Sequence, residues 1–167
     1  QGNSRGAVAD TSQESTTDDS VAALEELGAQ IKRNKKGEVV GVAFIGLSGM
    51  QIADAELVHL KGLTSLEDLH LRGTQITDAG LVHLRGLTNL QVLWLGRTQI
   101  TDAGLVHLEG LANVWALGLS RTQITDAGLV HLKGLTNLKA LSLGDTQVSN
   151  AGVAELKEAL PGCGMTH

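Results

Sequence analysis

The 167-residue sequence predicts an α/β solenoid: about five strand–helix units stacked into an arc, with a parallel sheet on the concave face. Three observations carry that prediction. TQITDAGLVHL occurs at 74–84, 98–108 and 122–132, a spacing of 24 residues, and MQIADAELVHL at 50–60 and TQVSNAGVAEL at 146–156 keep the register. An LxxLxL segment precedes the copies: Leu66/Leu69/Leu71, Leu90/Leu93/Leu95, Val114/Leu117/Leu119 and Leu138/Leu141/Leu143, degenerating in the first unit to Val42/Ile45/Leu47. Alternate spacing places these side chains on one face of a short strand. Downstream, Leu81, Leu84 and Leu87 recur every three residues, the stripe of a helix or 3₁₀ turn. One such unit cannot bury its own apolar face, whereas stacked neighbours bury a continuous core.

The elements follow in order. Residues 1–19 are polar and nearly free of large apolar side chains, so they read as a disordered tail or linker. Residues 20–41 form an N-terminal cap: Ser20 N-caps a helix carrying Val21, Leu24, Leu27 and Ile31, and the loop KRNKKGE turns into a strand around Val39–Leu47. Five 24-residue units then run 42–65, 66–89, 90–113, 114–137 and 138–161. Within a unit, Asp78 and its equivalents stand where the helix begins, ready to accept orphan N–H groups, and Gly86 with Thr88-Asn89 releases the chain to the next strand. The last unit acts as the C-terminal cap, packing Val153, Leu156 and Leu160 until Pro161 stops it, and 162–167 is a tail.

The segment LxxLxLxxTQITDAGLVHLxGLTN resembles the leucine-rich-repeat family, and more narrowly the 24-residue bacterial repeats that are similar to the cysteine-containing repeats found beside F-box domains. The resemblance covers 42–161. It implies the arc, and it implies a surface that binds partners rather than a catalyst, although fold alone does not fix function. Thr74, Thr98, Thr122 and Thr146 stand where the family usually has Asn or Cys. Their hydroxyls can still cap backbone groups, so the expectation is a shifted ladder.

Charge and composition remove several function classes. Thirteen basic against eighteen acidic residues give −5, which argues against a general nucleic-acid or anionic-membrane binder. No stretch approaches the length of apolar chain that spans a bilayer. The one cysteine cannot close an internal disulfide or build a Cys-rich zinc site. Stacking turns repeated residues into columns. A straight file of His59, His83, His107 and His131 does not converge on a metal ion, but protonating it should be unfavourable, so stability should fall towards pH 5. The column Asp54, Asp78, Asp102 and Asp126, broken by Asn150, is explained by helix capping without a cation. Asp78 and His83 diverge on their helix, Ser48 lies in GLSGM without a nucleophile elbow, and Cys163 has no specified partner, so no catalytic residue, cofactor or metal site is expected. Lys32-Arg33-Asn34-Lys35-Lys36 reads as a solvated cap loop.

The informative columns are those that vary while the scaffold does not. Strand residues between the leucines point outward and read Phe44, Asp68, Val92, Ala116, Ala140; then Gly46, His70, Trp94, Gly118, Ser142; then Ser48, Arg72, Gly96, Ser120, Gly144. Flanking columns hold Trp115 on one side and Arg97 and Arg121 on the other. Trp and Arg are the residues that most often anchor interfaces. The candidate binding residues are therefore Phe44, Asp68, His70, Arg72, Trp94, Arg97, Trp115 and Arg121. The expected function is a non-catalytic module presenting its concave sheet to an unidentified protein or peptide. The alternatives are recognition of a glycan or cell-surface polymer by the same face, or a spacer within a larger protein. A monomer is expected, with no nucleic-acid partner and no membrane span, and a bacterial extracytoplasmic or cell-surface setting is favoured over a cytoplasmic one.

Overall fold

The computed structural model describes residues 11–45 and 52–167, with side chains from Thr16 onward. Helix α1 (Thr11–Glu26) leads into a hairpin of β1 (Gln30–Arg33) and β2 (Val39–Ala43). The remaining strands are β3 (Asp68–His70), β4 (Val92–Trp94), β5 (Ala116–Gly118), β6 (Ala140–Ser142) and β7 (Gly164–Thr166). Among the described residues the seven strands form one sheet in chain order, antiparallel at β1–β2 and parallel from β2 to β7. The α/β repeat arc is thus the observed architecture.

Leucine rows make the core. Leu69, Leu93, Leu117 and Leu141 pair in register along the sheet and are buried, as are Leu81, Leu105 and Leu129 behind them. The three-residue leucine spacing resolves mostly as 3₁₀ turns, at Asp54–Leu60, Gly80–Leu84 and Asp126–Leu132, with a short α2 (Asp102–Leu105) continuing as 3₁₀ over Val106–Leu108. The final unit instead forms the α-helix α3 (Asn150–Ala159), because its leucines are spaced by four and its surface is Ala, Glu and Lys.

Each unit is latched to the next by one carboxylate. Asp78 accepts from the Thr101 backbone N–H at 2.7 Å and from its hydroxyl at 2.5 Å, and Asp102 binds Thr125 in the same way at 2.8 and 2.6 Å. Asp54–Thr77 and Asp126–Ser149 complete the series. Capping is therefore divided differently from the sequence reading. Thr101, Thr125 and Ser149 are the N-cap residues of their own turns, and the aspartate serves the following unit. The glycine of DAG is required by the same contact. A Cβ at Gly104 would overlap the Asp78 carboxylate and crowd Leu81.

The ends of this series carry their own chemistry. Ala53 and Glu56 occupy the threonine and glycine positions of the first unit, which receives no aspartate among the described residues, and Glu56 instead accepts the Ala53 N–H at 2.8 Å. Asn150 replaces the aspartate of the last unit and lies 2.5 Å from His167 Nε2.

Three boundaries differ from expectation. The first unit pairs Val42 with Leu69, so Val39, Val42 and Phe44, rather than Val42, Ile45 and Leu47, supply its inward face. The hairpin decides this, because the tight turn through Asn34–Gly37, with Gly37 at φ +85°, starts β2 at Val39 directly against Arg33. That unit is three residues longer than the others. The extra length lies between Phe44 and Ile52, since the Ile52 carbonyl accepts the Gln75 N–H just as Ile76 accepts Gln99. Gly46, Leu47 and Ser48 of the expected strand and face lie outside the described residues. Helix α1 begins at Thr11 rather than at Ser20, because residues 11–19 hold no Gly or Pro and extending an existing helix is easier than nucleating one. Residues 1–10 of the expected tail lie outside the described residues. Finally, 164–166 is not tail but strand β7, with Cys163 and Leu160 in the core.

Candidate functional site

The sheet register places Asp68, Val92, Ala116 and Ala140 in one outward row and His70, Trp94, Gly118 and Ser142 in the next. Trp94 leans one rung along the arc and packs on Gly118, where a Cβ would overlap the indole. His70 flanks it from the preceding rung, ring centroids 6.4 Å apart and planes tilted by 45°. The stem of Arg72 lies over Gly96 in the adjoining row. Glycine on the following rung thus gives Trp94 a flat bed, and Trp94 is half-buried as a result. Further along, Ser120 and Ser142 share a hydrogen bond of 2.6 Å.

Several predicted residues fall elsewhere. Phe44 is 6% exposed and belongs to the core, while Ile45, at 54%, projects in its stead. Its expected outward position is corrected by the hairpin register described above. Asp68 faces outward but is paired with Lys32 across 3.7 Å, which also gives part of the basic run a structural use. The rest of that run closes the hairpin, with Arg33 donating to the Gly37 carbonyl and Asn34 Oδ1 accepting the Lys36 and Glu38 N–H groups.

Arg97 and Arg121 stand at the ends of their strands with φ of 56° and 58°, matching Asp145 at 57° and Gly73 at 76°. Left-handed backbone brings the N–H of each turn onto the next unit, Arg97 to Ser120 O and Arg121 to Gly144 O, both at 2.8 Å. L-residues adopt that region at a cost of about 1–2 kcal/mol. Arg121 Nε also pairs with Asp145 at 2.8 Å. Trp115 lies at the other rim, at the entrance to β5, and is 44% exposed. It lines a groove of about 480 Å³ with Glu67, Asn89, Gln91, Asn113, Asn137 and Lys139. The structure therefore gathers Asp68, His70, Arg72 and Trp94 on the face, sets Arg97 and Arg121 on one rim, and sets Trp115 on the other.

The asparagine row in that groove escaped the sequence reading, which saw only turn residues at Thr88-Asn89. Asn89 donates to the Thr64 carbonyl, Asn113 to Thr88 and Asn137 to Ala112, each at 2.8 Å. Their 24-residue recurrence was the available signal. The threonines behave as anticipated: Thr74, Thr98, Thr122 and Thr146 donate to the carbonyls of Leu71, Leu95, Leu119 and Leu143 at 2.6–2.7 Å.

The titratable columns are scaffold in their surroundings. Burial, reinforced by Arg85 and opposed by Asp78, holds the His107 imidazole below its ordinary value, and its Nδ1 is buried without a hydrogen-bond partner. Repulsion between stacked histidines is not the cause. His131 Nδ1 lies 2.6 Å from Glu109. The Ser149 hydroxyl and N–H hold the Asp126 carboxyl below its usual range. Burial raises the Cys163 thiol, with Lys157 pulling the other way, so this sulfur is a packed side chain rather than a nucleophile. Among the described residues no three His, Cys, Asp or Glu side chains converge to hold a metal ion, and no helix is long and apolar enough to cross a membrane.

Residues 64–107 match the family model for leucine-rich repeats in two copies, and residues 134–157 match a leucine-rich repeat model. These matches and the arc together support a leucine-rich-repeat family for the chain. Among solved structures, the chain is similar to an internalin (inlF) of Listeria monocytogenes at 23% identity, covering 84% of this chain and 47% of that one with a TM-score of 0.50. It is similar to the PEPR1-AtPEP1 crystal structure at 17% identity, over 77% and 18% of the two chains with a TM-score of 0.51. A leucine-rich-repeat protein of Leptospira interrogans follows at 23% identity, over 66% and 33%, with a TM-score of 0.48. The chain spans about half the length of the internalin and less of the other two. No curated protein matches it. Leucine-rich-repeat domains generally mediate protein–protein interaction, and their fold is typically non-catalytic.

Proposed function

We propose that this chain is a non-catalytic interaction module that binds a protein or peptide on its concave sheet, as a monomer. One observation carries the reading: Trp94 is bedded on Gly118 and flanked by His70, while Arg72 crosses Gly96 beside it. Side chains held in place before a partner arrives lose little entropy on binding, and Trp and Arg are the commonest anchors of interfaces. Around them the face offers small groups, Ser120, Ala140 and Gly144, over which a partner backbone can approach closely. The repeats resemble bacterial 24-residue units that are similar to the cysteine-containing subtype, with threonine where the family usually has Asn or Cys.

The test is affinity capture from lysate and culture supernatant, comparing wild type with a Trp94→Ala, Arg72→Ala double variant shown by circular dichroism to be folded. A protein retained by wild type and lost by the variant is the expected result. Equal retention by both would move any binding off this face.

A further inference from the structure

We propose that the rim groove around Trp115 is a second binding site, separate from the concave platform, for a neutral, hydroxyl-rich pyranose oligosaccharide. The groove is built by repetition. The residue entering each strand forms the row Glu67, Gln91, Trp115, Lys139, and the turn before it forms the row Asn89, Asn113, Asn137. Each asparagine Nδ2 is committed to a backbone carbonyl of the preceding turn at 2.8 Å. A carbonyl can only accept, so the amide nitrogen must face it, and each carboxamide keeps its Oδ1 acceptors and one further N–H donor. Adjacent carboxamides are then about one strand spacing apart, roughly 4.8 Å, and each is held by its backbone bond.

The ligand class follows from what lies beside those acceptors. Trp115 is the exposed aromatic of the chain, at 44%, whereas Trp94 is half-buried and Phe44 is buried. It is also the sole apolar side chain lining this groove. A ligand suited to the groove therefore brings a row of groups that both donate and accept, together with a flat C–H face. A pyranose carries both: hydroxyls around its rim and axial hydrogens that lie against an indole. A peptide anchored by an apolar side chain would need a deeper apolar pocket than one indole provides. Glu67 and Lys139 supply one charge of each sign, which favours a neutral ligand over an anionic polymer. The preorganised carboxamides lower the ordering cost of binding.

The chain has two tryptophans and no tyrosine, so Trp94→Phe leaves Trp115 as its only indole. That variant is titrated with cellotetraose, N-acetylchitotetraose and mannotetraose up to about 10 mM, a range that covers weak single-site binding. A saturable change in Trp115 emission with at least one probe is expected. By calorimetry on otherwise wild-type protein, Trp115→Ala should weaken that probe at least about tenfold, and Gln91→Ala should weaken it less. The Trp94→Ala, Arg72→Ala variant should bind the sugar normally, so failure of the concave-face reading and failure of this one are distinguishable. Silence with all three probes, with circular dichroism unchanged, would overturn the proposal. So would full sugar affinity in Trp115→Ala, or loss of a captured protein on Trp115→Ala with no sugar bound by wild type.

Discussion

The latch between units and the concave platform are built from the same 24-residue repeat but obey opposite rules. In the latch, Asp, Thr or Ser, and Gly recur because each atom contacts its counterpart in the next unit, and Gly80, Gly104, Gly128 and Gly152 all lie against an aspartate of the unit before. On the platform, neighbouring rungs complement each other by being unequal. Trp94 needs Gly118, whereas Gly96 is held bare by the Ser120 carbonyl and lies beside the Arg72 stem. Sameness there would be steric conflict, since a tryptophan on every rung would leave no bed for any of them. Repetition thus marks what holds the stack together, and departure from repetition marks what the stack holds out.

That contrast breaks most clearly at its strongest point. Asp102→Ala removes two hydrogen bonds from a carboxylate and leaves the Thr125 N–H unpaired, and should cost about 2–4 kcal/mol in urea denaturation. Gly104→Ala should cost about 1–3 kcal/mol by forcing the Asp78 contact apart. A loss below about 0.5 kcal/mol in both would show that the latch is incidental.

Gly118→Ala sharpens the other half. It should lift the Trp94 indole at a stability cost near 1 kcal/mol, and in a Trp115→Phe background shift its emission to the red. An unchanged spectrum would mean that the indole does not rest on Gly118 in solution.

Acid should erode the latch at Asp126 and the packing at His107 in different windows. With its folded-state value held below 6.5, His107 takes up its proton more readily in the unfolded chain, so stability should fall as pH drops below about 6.5, and His107→Gln should remove that component. Asp126 contributes above its ordinary 3.8, and its contribution is lost as pH falls through the lower folded value. Melting temperatures of wild type and His107→Gln that run parallel between about pH 7.5 and 5.5 would refute the histidine part.

The smallest effect is expected at Arg97→Gly. Relief of left-handed backbone, worth about 1–2 kcal/mol, is offset by the greater freedom of glycine when unfolded, so stability should change by less than about 1 kcal/mol. Arg97→Val, β-branched at the same φ, should lose more than that in the same denaturation assay.

The architecture was legible because it rests on periodicity, and leucines at fixed spacing admit one stacking solution. The misreadings occur where a local constraint competes with the period. Val39/Val42/Phe44 and Val42/Ile45/Leu47 satisfy the strand pattern equally well, and only the hairpin closed at Gly37 chooses between them. The aspartates were assigned to their own turns because a sequence shows what is near along the chain, whereas Asp78 reaches Thr101 one unit away. On the site, the outward columns from Asp68 onward were readable from strand alternation. The bedding of Trp94 and the direction of the asparagine amides were not, since both depend on what the neighbouring rung leaves empty or offers.

The latch also has consequences for how such a chain can change length. Each internal unit gives one aspartate forward and receives one from behind, so any internal unit presents the same two surfaces as any other. Duplicating residues 98–121 as a block would rejoin an aspartate to a threonine and a glycine and would keep Gly118 on the rung beneath Trp94. The first and last units lack this interchangeability, because Ala53 and Glu56 decline an aspartate and Asn150 offers none. Growth by recombination is therefore confined to the interior, where a new rung enlarges the concave surface and leaves both terminating units as they were.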